Sequence, residues 1–411
     1  MLAAIRFALG VALIAGCTAL AAGCTAPVTT PSPVGASDQQ AAVLAIVERA
    51  MSEYDLRAAI VRVDRGGEAI VTVASGESLP GVPVTADMHF RNGAVAISYL
   101  ATALLVLVDE GKVSLDDPLA MWLPDVAHSG EVTLGELARM TSGYADYMWD
   151  AEFLAALDTD PLRQWTPEEL YTIGTEQPLV YEPGTNWNYS HTSYVLLGLA
   201  LEKITGMPLN ELLSEKVLEP LGLEQTTDPG TPAVQEPALH VYTSERREHL
   251  GIPAGIPFYE ESTYWNPSWT IARGAIQNTD IADLARGARG VATGELLSAE
   301  SHRAQLDTGS RQIASLVDGC PACFPHSEVY TYGIGVVMMG DWVLQNPVFS
   351  GTSAIGAHLL GKDLTIAVVT TFREAAFENS ASPSSATDVF RDIVAEIAPE
   401  DLPPTREDIG Q

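Results

Sequence analysis

Hydrophobic and polar residues alternate with two different periods along the chain. Apolar residues recur at helical spacing in QQAAVLAIVERAMSEY, which begins at Gln39 and is predicted to form an amphipathic helix. The next segment, AAIVRVDRGGEAIVTVASG, alternates on both sides of a Gly-Gly pair and predicts a β-hairpin. A long apolar helix is predicted from Ile97 to Glu110, where Gly111 ends it. The chain is therefore expected to open with a helix, a hairpin and a buried helix.

The middle of the chain is rich in helical patterns, and the last part is rich in strand patterns. TSYVLLGLALEKITG and LNELLSEKVLEPLGL have apolar residues at helical spacing. TYGIGVVMMG, DWVLQNPVFSG and DLTIAVVTTF predict further strands with turn residues between them. This order predicts an α/β chain of the α+β kind, in which a helical region at about residues 110–275 is inserted into a sheet region.

The first 24 residues differ in composition from the rest of the chain. MLAAIR is a short basic start, and FALGVALIAG is an apolar run of signal-peptide length. ALAAGC resembles the lipobox of bacterial lipoproteins, which implies a signal peptide at residues 1–23 and a lipidated Cys24. Cys17, in LIAGC, is the runner-up for lipidation, and a plain cleaved signal with an incidental cysteine is the remaining alternative.

The chain after the signal divides at two changes of composition. Residues 24–38 are rich in Pro, Ser and Thr and predict a tether. Residues 39–398 hold the regular patterns and predict one folded domain, and residues 399–411 predict a frayed acidic tail. Acyl chains on the cysteine would anchor the protein stably, so we expect it outside the cytoplasm on the bacterial cell membrane.

Composition and charge exclude several classes of protein. Hydrophobic residues make up 46% of the chain, which is enough for a substantial core and excludes a disordered chain. The formal net charge of −31 repels phosphate backbones, so we expect no nucleic-acid partner. After the signal, no apolar run is long and pure enough to span a bilayer.

Two cysteines, Cys320 and Cys323, lie close together in DGCPACFPHSE. Outside the cytoplasm a disulfide is the expected state for such a pair. A thioredoxin-type redox site is disfavoured because no βαβ pattern surrounds the pair, and zinc would need more ligands than His326 adds. The other histidines show no metal-ligand spacing, so we expect neither a metal site nor a cofactor.

Five segments, taken in order, resemble one protein superfamily. They resemble the serine β-lactamases and D,D-peptidases, specifically the class C-like, penicillin-binding branch, over roughly Ala41 to Val394. The resemblance implies an antiparallel sheet flanked by helices, with an all-helical subdomain and a cleft between the two. The segments are FRNGAVAISYLATALLVLVDEGKVSLDDPLAMWLP, VTLGELARMTSGYADY, EPGTNWNYSHTSYVLLGLALEKITG, LEPLGLEQT and NTDIADLARG.

The first catalytic element of that superfamily is Ser-x-x-Lys at the start of a buried helix. One helical turn puts both side chains on the same face, so the amine can help to deprotonate the hydroxyl. This chain has Ala94 and Ile97 at the two positions. No Ser-x-x-Lys occurs elsewhere, because the residues three positions before the lysines are Asp, Ala, Leu and Leu. We therefore expect that no acyl-enzyme forms at this position.

The other two catalytic elements are also altered. The superfamily's Tyr-x-Asn corresponds to Tyr189-Ser190-His191, which keeps the phenol and replaces the amide by an imidazole. The His- or Lys-x-Gly of an edge strand corresponds to Phe349-Ser350-Gly351, which lacks the cation that binds a substrate carboxylate.

Aromatic residues near these elements are candidates for a ligand cleft. The resemblance places Tyr144 and three other aromatic residues at the rim, where they would stack on a sugar or a peptide. The alternative is that they close a vacated pocket. The candidate ligand residues are Trp187, Tyr189, His191, Tyr147 and Ser350.

A hydrolase with a relocated nucleophile is the rival hypothesis. Ser98 follows Ile97, but one residue of helix turns it about 100° away from the Ala94 face. A nucleophile–base pair drawn from Ser350, Ser98 and His191 would act on an ester or an amide.

The sequence thus predicts an envelope lipoprotein of this fold that is catalytically inactive. It would bind a cell-wall fragment or an envelope protein, or have a regulatory role. The relocated serine hydrolase is the alternative, and a surface antigen without a ligand is a third possibility.

Overall fold

An antiparallel β-sheet forms the centre of the fold. The computed structural model describes residues 36–378 and 384–405. The strands are β1 (Leu56–Arg65), β2 (Glu68–Leu79), β3 (Val82–Pro83), β4 (Phe90–Arg91), β5 (Tyr242–Thr243), β6 (Glu260–Glu261), β7 (Asn278–Thr279), β8 (Thr331–Tyr332), β9 (Val337–Met339), β10 (Trp342–Gln345), β11 (Val348–Phe349), β12 (Thr352–Leu359) and β13 (Leu364–Phe372).

Helices surround the sheet and also form a separate helical region in the middle of the chain. The helices are α1 (Ala36–Glu53), α2 (Val95–Asp109), α3 (Leu134–Ala138), α4 (Ala151–Thr159), α5 (Pro167–Thr175), α6 (His191–Thr205), α7 (Leu209–Leu213), α8 (Ile281–Thr293), α9 (Ala299–Gln305), α10 (Ser310–Ile313), α11 (Glu374–Glu378) and α12 (Ser385–Ile397).

The sheet has the strand order β3-β2-β1-β13-β12-β10-β9-β8, and β11 also pairs with β12. All of these pairings are antiparallel. Helices α1 and α12 pack on each other and on the central strands, whereas α8 packs on the same strands from the other side. The predicted fold class, an antiparallel sheet flanked by helices, is confirmed.

The central strands are buried on both faces. Every residue of β12 and of β13 is buried, which is typical of strands that are covered by helices on both sides. The predicted hairpin of β1 and β2 is confirmed, with both turn glycines at positive φ. Strand β12 was not predicted, because its small residues, TSAIGAHL, lack the alternation that marks a strand with one exposed face.

Helix α2 is the centre of the helical side of the molecule. Twelve of its fifteen residues are buried, and it packs on α6, α7 and α8. Helices α3 to α7 all lie between residues 110 and 275. The segment LNELLSEKVLEPLGL, predicted as helical, is helical in its first ten residues, where α7 continues as a wider helical turn at Ser214–Leu218.

The predicted frayed tail is partly wrong. The first residues after α12 form a turn at Pro399–Asp401. The Trp342 indole donates a hydrogen bond to the Asp401 carbonyl at 2.7 Å, and Lys362 pairs with Glu400 at 2.6 Å. These contacts hold the start of the acidic segment on the sheet, and residues 406–411 lie outside the described part. Among the described residues, no helix has the length and apolarity needed to cross a membrane.

Candidate functional site

The start of α2 is fixed against the strand that contains β10 and β11. Asn92 forms three hydrogen bonds with Gln277, two through its side chain and one through its backbone N–H, at 2.6–3.0 Å. Gly93 follows with a φ of 52°, and a Cβ atom there would lie 2.8 Å from the Pro347 Cβ. A glycine is therefore needed at this close approach. The junction places Ala94 directly opposite the strand.

Ala94 and Ile97 lie one helical turn apart in very different surroundings. Ala94 is half-buried at the helix start and lines a cavity, whereas Ile97 is 0% exposed and belongs to the core. Neither side chain carries a nucleophile or an ionisable group. Within the described residues, the Ala94 N–H makes no hydrogen bond, so a backbone donor remains available at the cavity wall.

The cavity in front of Ala94 has a volume of about 270 Å³. Its wall is largely aromatic and aliphatic, with amide groups and one imidazole. None of its lining residues in the described part of the chain is a lysine, arginine, aspartate or glutamate. The lining residues are Gly93, Ala94, Tyr189, His191, Trp269, Thr270, Ile271, Ile276, Tyr330, Val337, Gln345, Asn346, Pro347, Val348 and Phe349.

His191 is held in the cavity wall by a buried carboxylate. Its Nδ1 lies 3.0 Å from Asp146 Oδ2, and its backbone N–H donates to Asp146 Oδ1 at 3.2 Å. The Asp146 side chain is only 3% exposed. Since a carboxylate accepts hydrogen bonds, Nδ1 is the donor in this contact, and Nε2 has no hydrogen-bond partner among the described residues.

The local sequence explains why His191 lies at this position. Ser190 caps the N-terminus of α6, because its Oγ accepts from the Ser193 N–H at 3.4 Å and donates to the Tyr144 carbonyl at 3.3 Å. The next residue, His191, is therefore the first of the helix. Asp146 comes from a distant loop and was not predicted from the sequence.

The two tyrosines of the cavity wall are phenols rather than phenolates. Burial raises the pKa of Tyr189 well above its usual value, and the neighbouring Tyr330 and Asp146 act in the same direction. Burial also raises the pKa of Tyr330. In the part of the chain that the structure describes, no cation lines the cavity to oppose these effects. Within the described residues the Tyr189 hydroxyl makes no hydrogen bond, so it is available to a ligand.

The segment predicted as the third catalytic element, Phe349-Ser350-Gly351, lies at the tip of the hairpin formed by β11 and β12. Strands β10 and β11 share one register with β12, from Trp342 opposite Leu359 to Phe349 opposite Thr352. They form a single strand that is interrupted at Pro347, which has no N–H.

The residues after Phe349 make the turn of this hairpin. Ser350 and Gly351 have φ values of 33° and 92°, as a two-residue turn requires. Phe349 lines the cavity and stacks on Trp269, with ring centroids 5.6 Å apart. Ser350 does not line it, and its carbonyl accepts from Ser262 Oγ at 2.6 Å. The expectation that these three residues form an edge-strand motif, with Ser350 as a ligand residue, is therefore wrong.

One part of the cavity wall was not predicted from the sequence, and it is formed by the end of β10 and the residues that join β10 to β11. Gln345, Asn346 and Pro347 all line the cavity, as does Trp269 from the helical region. The Gln345 side chain donates to the Gly335 carbonyl at 2.8 Å. A proline just before a two-residue turn was the available sequence signal for a strand that pairs on one side only.

Three of the predicted rim aromatics are in the interior. Trp187 and Tyr147 are 0% exposed, and Tyr144 is 1% exposed. The Trp187 ring contacts Phe324 and His326, and the Tyr147 hydroxyl donates to backbone carbonyls at Trp269 and Thr270. A rim role for these three residues is wrong, because packing encloses them. Of the predicted aromatic residues, Tyr189 reaches the cavity.

The hydroxyls of the candidate serines are not paired with His191. The Ser98 hydroxyl donates to the Gly335 carbonyl at 2.6 Å. Ser190 is the helix cap. None of the candidate serines lines the cavity, and none is hydrogen-bonded to His191 through its hydroxyl in the described residues.

Cysteine and metal predictions concern other parts of the chain. Cys320 and Cys323 form a disulfide in the structure. The described residues contain no group of three or more His, Cys, Asp or Glu that would hold a metal ion. Cys17 and Cys24 lie outside the described residues.

The Beta-lactamase family model matches residues 43–384, which is most of the chain. The chain belongs to the beta-lactamase family. Its resemblance to penicillin-binding proteins and D,D-peptidases is thereby confirmed.

Relatives of the chain include an esterase and a penicillin-binding protein. The chain is 31% identical over 192 residues to esterase EstB of Burkholderia gladioli, over 44% of this chain and 49% of the esterase. It is 34% identical over 152 residues to penicillin-binding protein 4 of Amycolatopsis lactamdurans, over 36% of this chain and 38% of that protein. The matches thus span half or less of each of these relatives.

Solved structures share the beta-lactamase fold over nearly their whole length. D-amino acid amidase of Ochrobactrum anthropi SV3 superposes with a TM-score of 0.70 at 22% identity, covering 88% of this chain and 99% of the amidase. A D-stereospecific amidohydrolase from Streptomyces sp. gives 0.67 at 23% identity, covering 83% and 98%. In this beta-lactamase family chain, the positions that resemble Ser-x-x-Lys hold Ala94 and Ile97.

Proposed function

We propose that this protein is an envelope lipoprotein whose beta-lactamase-like cavity binds a small ligand without serine acyl transfer. One observation carries the proposal: Ala94 occupies the cavity wall at the start of α2, and Ile97 is buried in the core one turn later. An alanine cannot form an ester with a substrate. An isoleucine cannot exchange a proton with a neighbouring hydroxyl.

The electrostatics of the cavity support the loss of that chemistry. An active lysine would favour a phenolate at Tyr189, but the pKa of Tyr189 is raised well above its usual value by burial. Tyr189 is therefore a hydrogen-bond donor at neutral pH and not a base. The cavity is equipped for binding by hydrogen bonds and by contact with aromatic rings.

The lining residues define the chemical class of the ligand. Trp269 and Phe349 offer stacked rings, and the Ala94 N–H and the Tyr189 hydroxyl offer donors for a carbonyl oxygen. No lysine or arginine among the lining residues would neutralise a carboxylate, and a buried charge without a partner is costly. We infer that the ligand carries an uncharged amide or ester group in place of a carboxylate.

A cell-wall fragment fits these requirements. The relatives include a penicillin-binding protein, and the fold is shared with an amidase that acts on D-amino acids, according to their names. An amidated peptide of D-amino acids would offer carbonyl groups without a terminal charge. The lipobox-like ALAAGC supports a place on the envelope, where such fragments occur. An envelope protein that presents uncharged amide carbonyl groups to the cavity is the other partner that we propose.

Two measurements test the proposal. Purified protein is incubated with a fluorescent penicillin and with a fluorophosphonate, and its intact mass is recorded. We expect no adduct, because no nucleophilic serine lines the cavity. An adduct on a serine would contradict the proposal and favour the alternative, a beta-lactamase-related hydrolase with a relocated nucleophile.

Binding is then measured with a matched pair of ligands. Tryptophan fluorescence is titrated with N-acetyl-D-Ala-D-Ala and with its C-terminal amide. We expect the amide to bind about 10-fold more tightly, because the acid would leave a charge unpaired. Tyr189→Phe should weaken amide binding, whereas Tyr264→Phe, at an exposed tyrosine outside the cavity, should not. Tighter binding of the acid would contradict the inferred ligand class.

A further inference from the structure

The proposed ligand binding does not use the imidazole of the cavity wall. His191 lies in the wall with Nδ1 fixed by Asp146 at 3.0 Å and with Nε2 free of partners among the described residues. Asp146 also accepts the Met148 N–H at 3.2 Å, so its own position is fixed by the backbone. Buried carboxylates that orient an imidazole in this way are a feature of general bases.

His191 is the one imidazole among the described residues that line the cavity. The other titratable lining residues in the described chain are Tyr189 and Tyr330, and burial keeps both as phenols. Imidazole is the side chain that ordinarily exchanges protons near neutral pH. The titratable groups that face the ring are Asp146, Tyr147 and Tyr189.

Ala94 leaves room where a nucleophilic side chain would lie. The cavity of about 270 Å³ exceeds what a single water needs, and it is bordered by Ala94 and His191 together. The unpaired Ala94 N–H, at the start of a fifteen-residue helix, is a donor for a developing oxyanion. A water molecule, a base and an oxyanion donor would thus share one cavity.

We propose that His191, positioned by Asp146, activates water for direct hydrolysis of a small neutral ester bound in the cavity. His191 Nε2 takes a proton from water while the water oxygen bonds to the carbonyl carbon. The bond from that carbon to the alcohol oxygen then breaks, and His191 returns its proton to the departing oxygen. One ester and one water give one acid and one alcohol, with no covalent bond to the protein. This step rests on the proposed function, because it needs a ligand site without a serine nucleophile.

Hydrolysis of p-nitrophenyl acetate tests the inference on the full mature chain. We expect His191→Gln to lower kcat by about 100-fold or more, the size typical of a lost general base. Asp146→Asn should lower kcat with little change in KM, because an amide would donate to Nδ1 and place the proton on Nε2. His128→Gln is the matched control, since His128 pairs with Glu131 at 3.3 Å outside the cavity. Thermal unfolding of each variant shows that it is folded.

The outcomes separate the two proposals. Turnover without a protein adduct that is lost in His191→Gln and kept in His128→Gln supports the inference. Adduct-free turnover that survives in His191→Gln, or no turnover at all by the folded protein, overturns it. An acetylated serine found by mass spectrometry contradicts the proposed function instead, and it overturns the direct attack of water as well.

Discussion

Replacing Ile97 by lysine tests whether the vacated catalytic position is now part of the core. Ile97 is 0% exposed, and its carbonyl lies beside the tight turn at Gly335. No carboxylate lines the nearby cavity to pair with an ammonium. We therefore expect Ile97→Lys to be strongly destabilising even though active relatives of the superfamily place a lysine there.

The size of the effect follows from burial. If the lysine pKa falls by about 2–3 units on burial, the cost is roughly 3–4 kcal/mol at neutral pH. Loss of the isoleucine contacts adds about 1 kcal/mol, because the lysine stem replaces them only in part. The total of about 4–5 kcal/mol is a large fraction of the roughly 5–15 kcal/mol that stabilises a typical protein.

Urea unfolding at several pH values measures this cost. A lysine with a lowered pKa is neutral in the folded protein over a window in which the unfolded chain is charged, so the deficit is largest at neutral pH and shrinks toward pH 10. Val106→Lys, at a half-buried position of the same helix, should cost less than about 1 kcal/mol because the amine reaches water. The reasoning would be refuted if Ile97→Lys lowered the free energy of unfolding by no more than Val106→Lys does, with no dependence on pH.

Other predictions concern acid stability, the disulfide and the anchor. His326 is 7% exposed, neither ring nitrogen has a hydrogen-bond partner, and burial lowers its pKa to about 4. Its folded pKa lies below the unfolded value, so stability falls as the pH drops from about 6.5 to 4, by up to about 1.4 kcal/mol per pH unit. His326→Phe should reduce this acid sensitivity in urea unfolding, and an unchanged slope would contradict it. The double change Cys320→Ser with Cys323→Ser should lower the free energy of unfolding by less than about 3 kcal/mol, since the bridged loop is short; a chain that no longer folds would contradict this. Cys24→Ser should release the protein from isolated membranes whereas Cys17→Ser should not, and the reverse would move the anchor to Cys17.

The parts of the site that lie on one continuous motif could be predicted from the sequence. The resemblance placed Ala94 and Ile97 at the two positions of the superfamily's Ser-x-x-Lys, one helical turn apart, so the missing chemistry could be recognised from this one segment. Tyr189 and His191 were recognised for the same reason, and both line the cavity. The order of periodic segments predicted a sheet region with an inserted helical region, and the resemblance implied that the sheet is antiparallel and flanked by helices.

The parts that depend on distant contacts could not be predicted. Asp146 lies 45 positions before His191 along the chain, and nothing in its own segment marks it as the partner of an imidazole. The resemblance implied that Trp187 lies at the rim, but its exposure depends on packing against the segment that carries Phe324 and His326. The third element was misplaced because Phe349 and Gly351 matched by spacing, whereas the hairpin register puts Gly351 in a turn.

The absence of a lysine at the position of Ile97 and the placement of His191 both affect which side chain of the cavity can accept a proton. Burial raises the pKa of Tyr189, and in the described part of the chain no lysine or arginine lines the cavity to oppose that effect. The cavity then has one side chain that a buried carboxylate orients. That side chain is His191, whose Nδ1 lies 3.0 Å from Asp146, and the Asp146 side chain is only 3% exposed. Asp146→Asn should therefore lower the turnover of p-nitrophenyl acetate in the chain that keeps Ile97, because the imidazole would lose the partner that fixes its orientation.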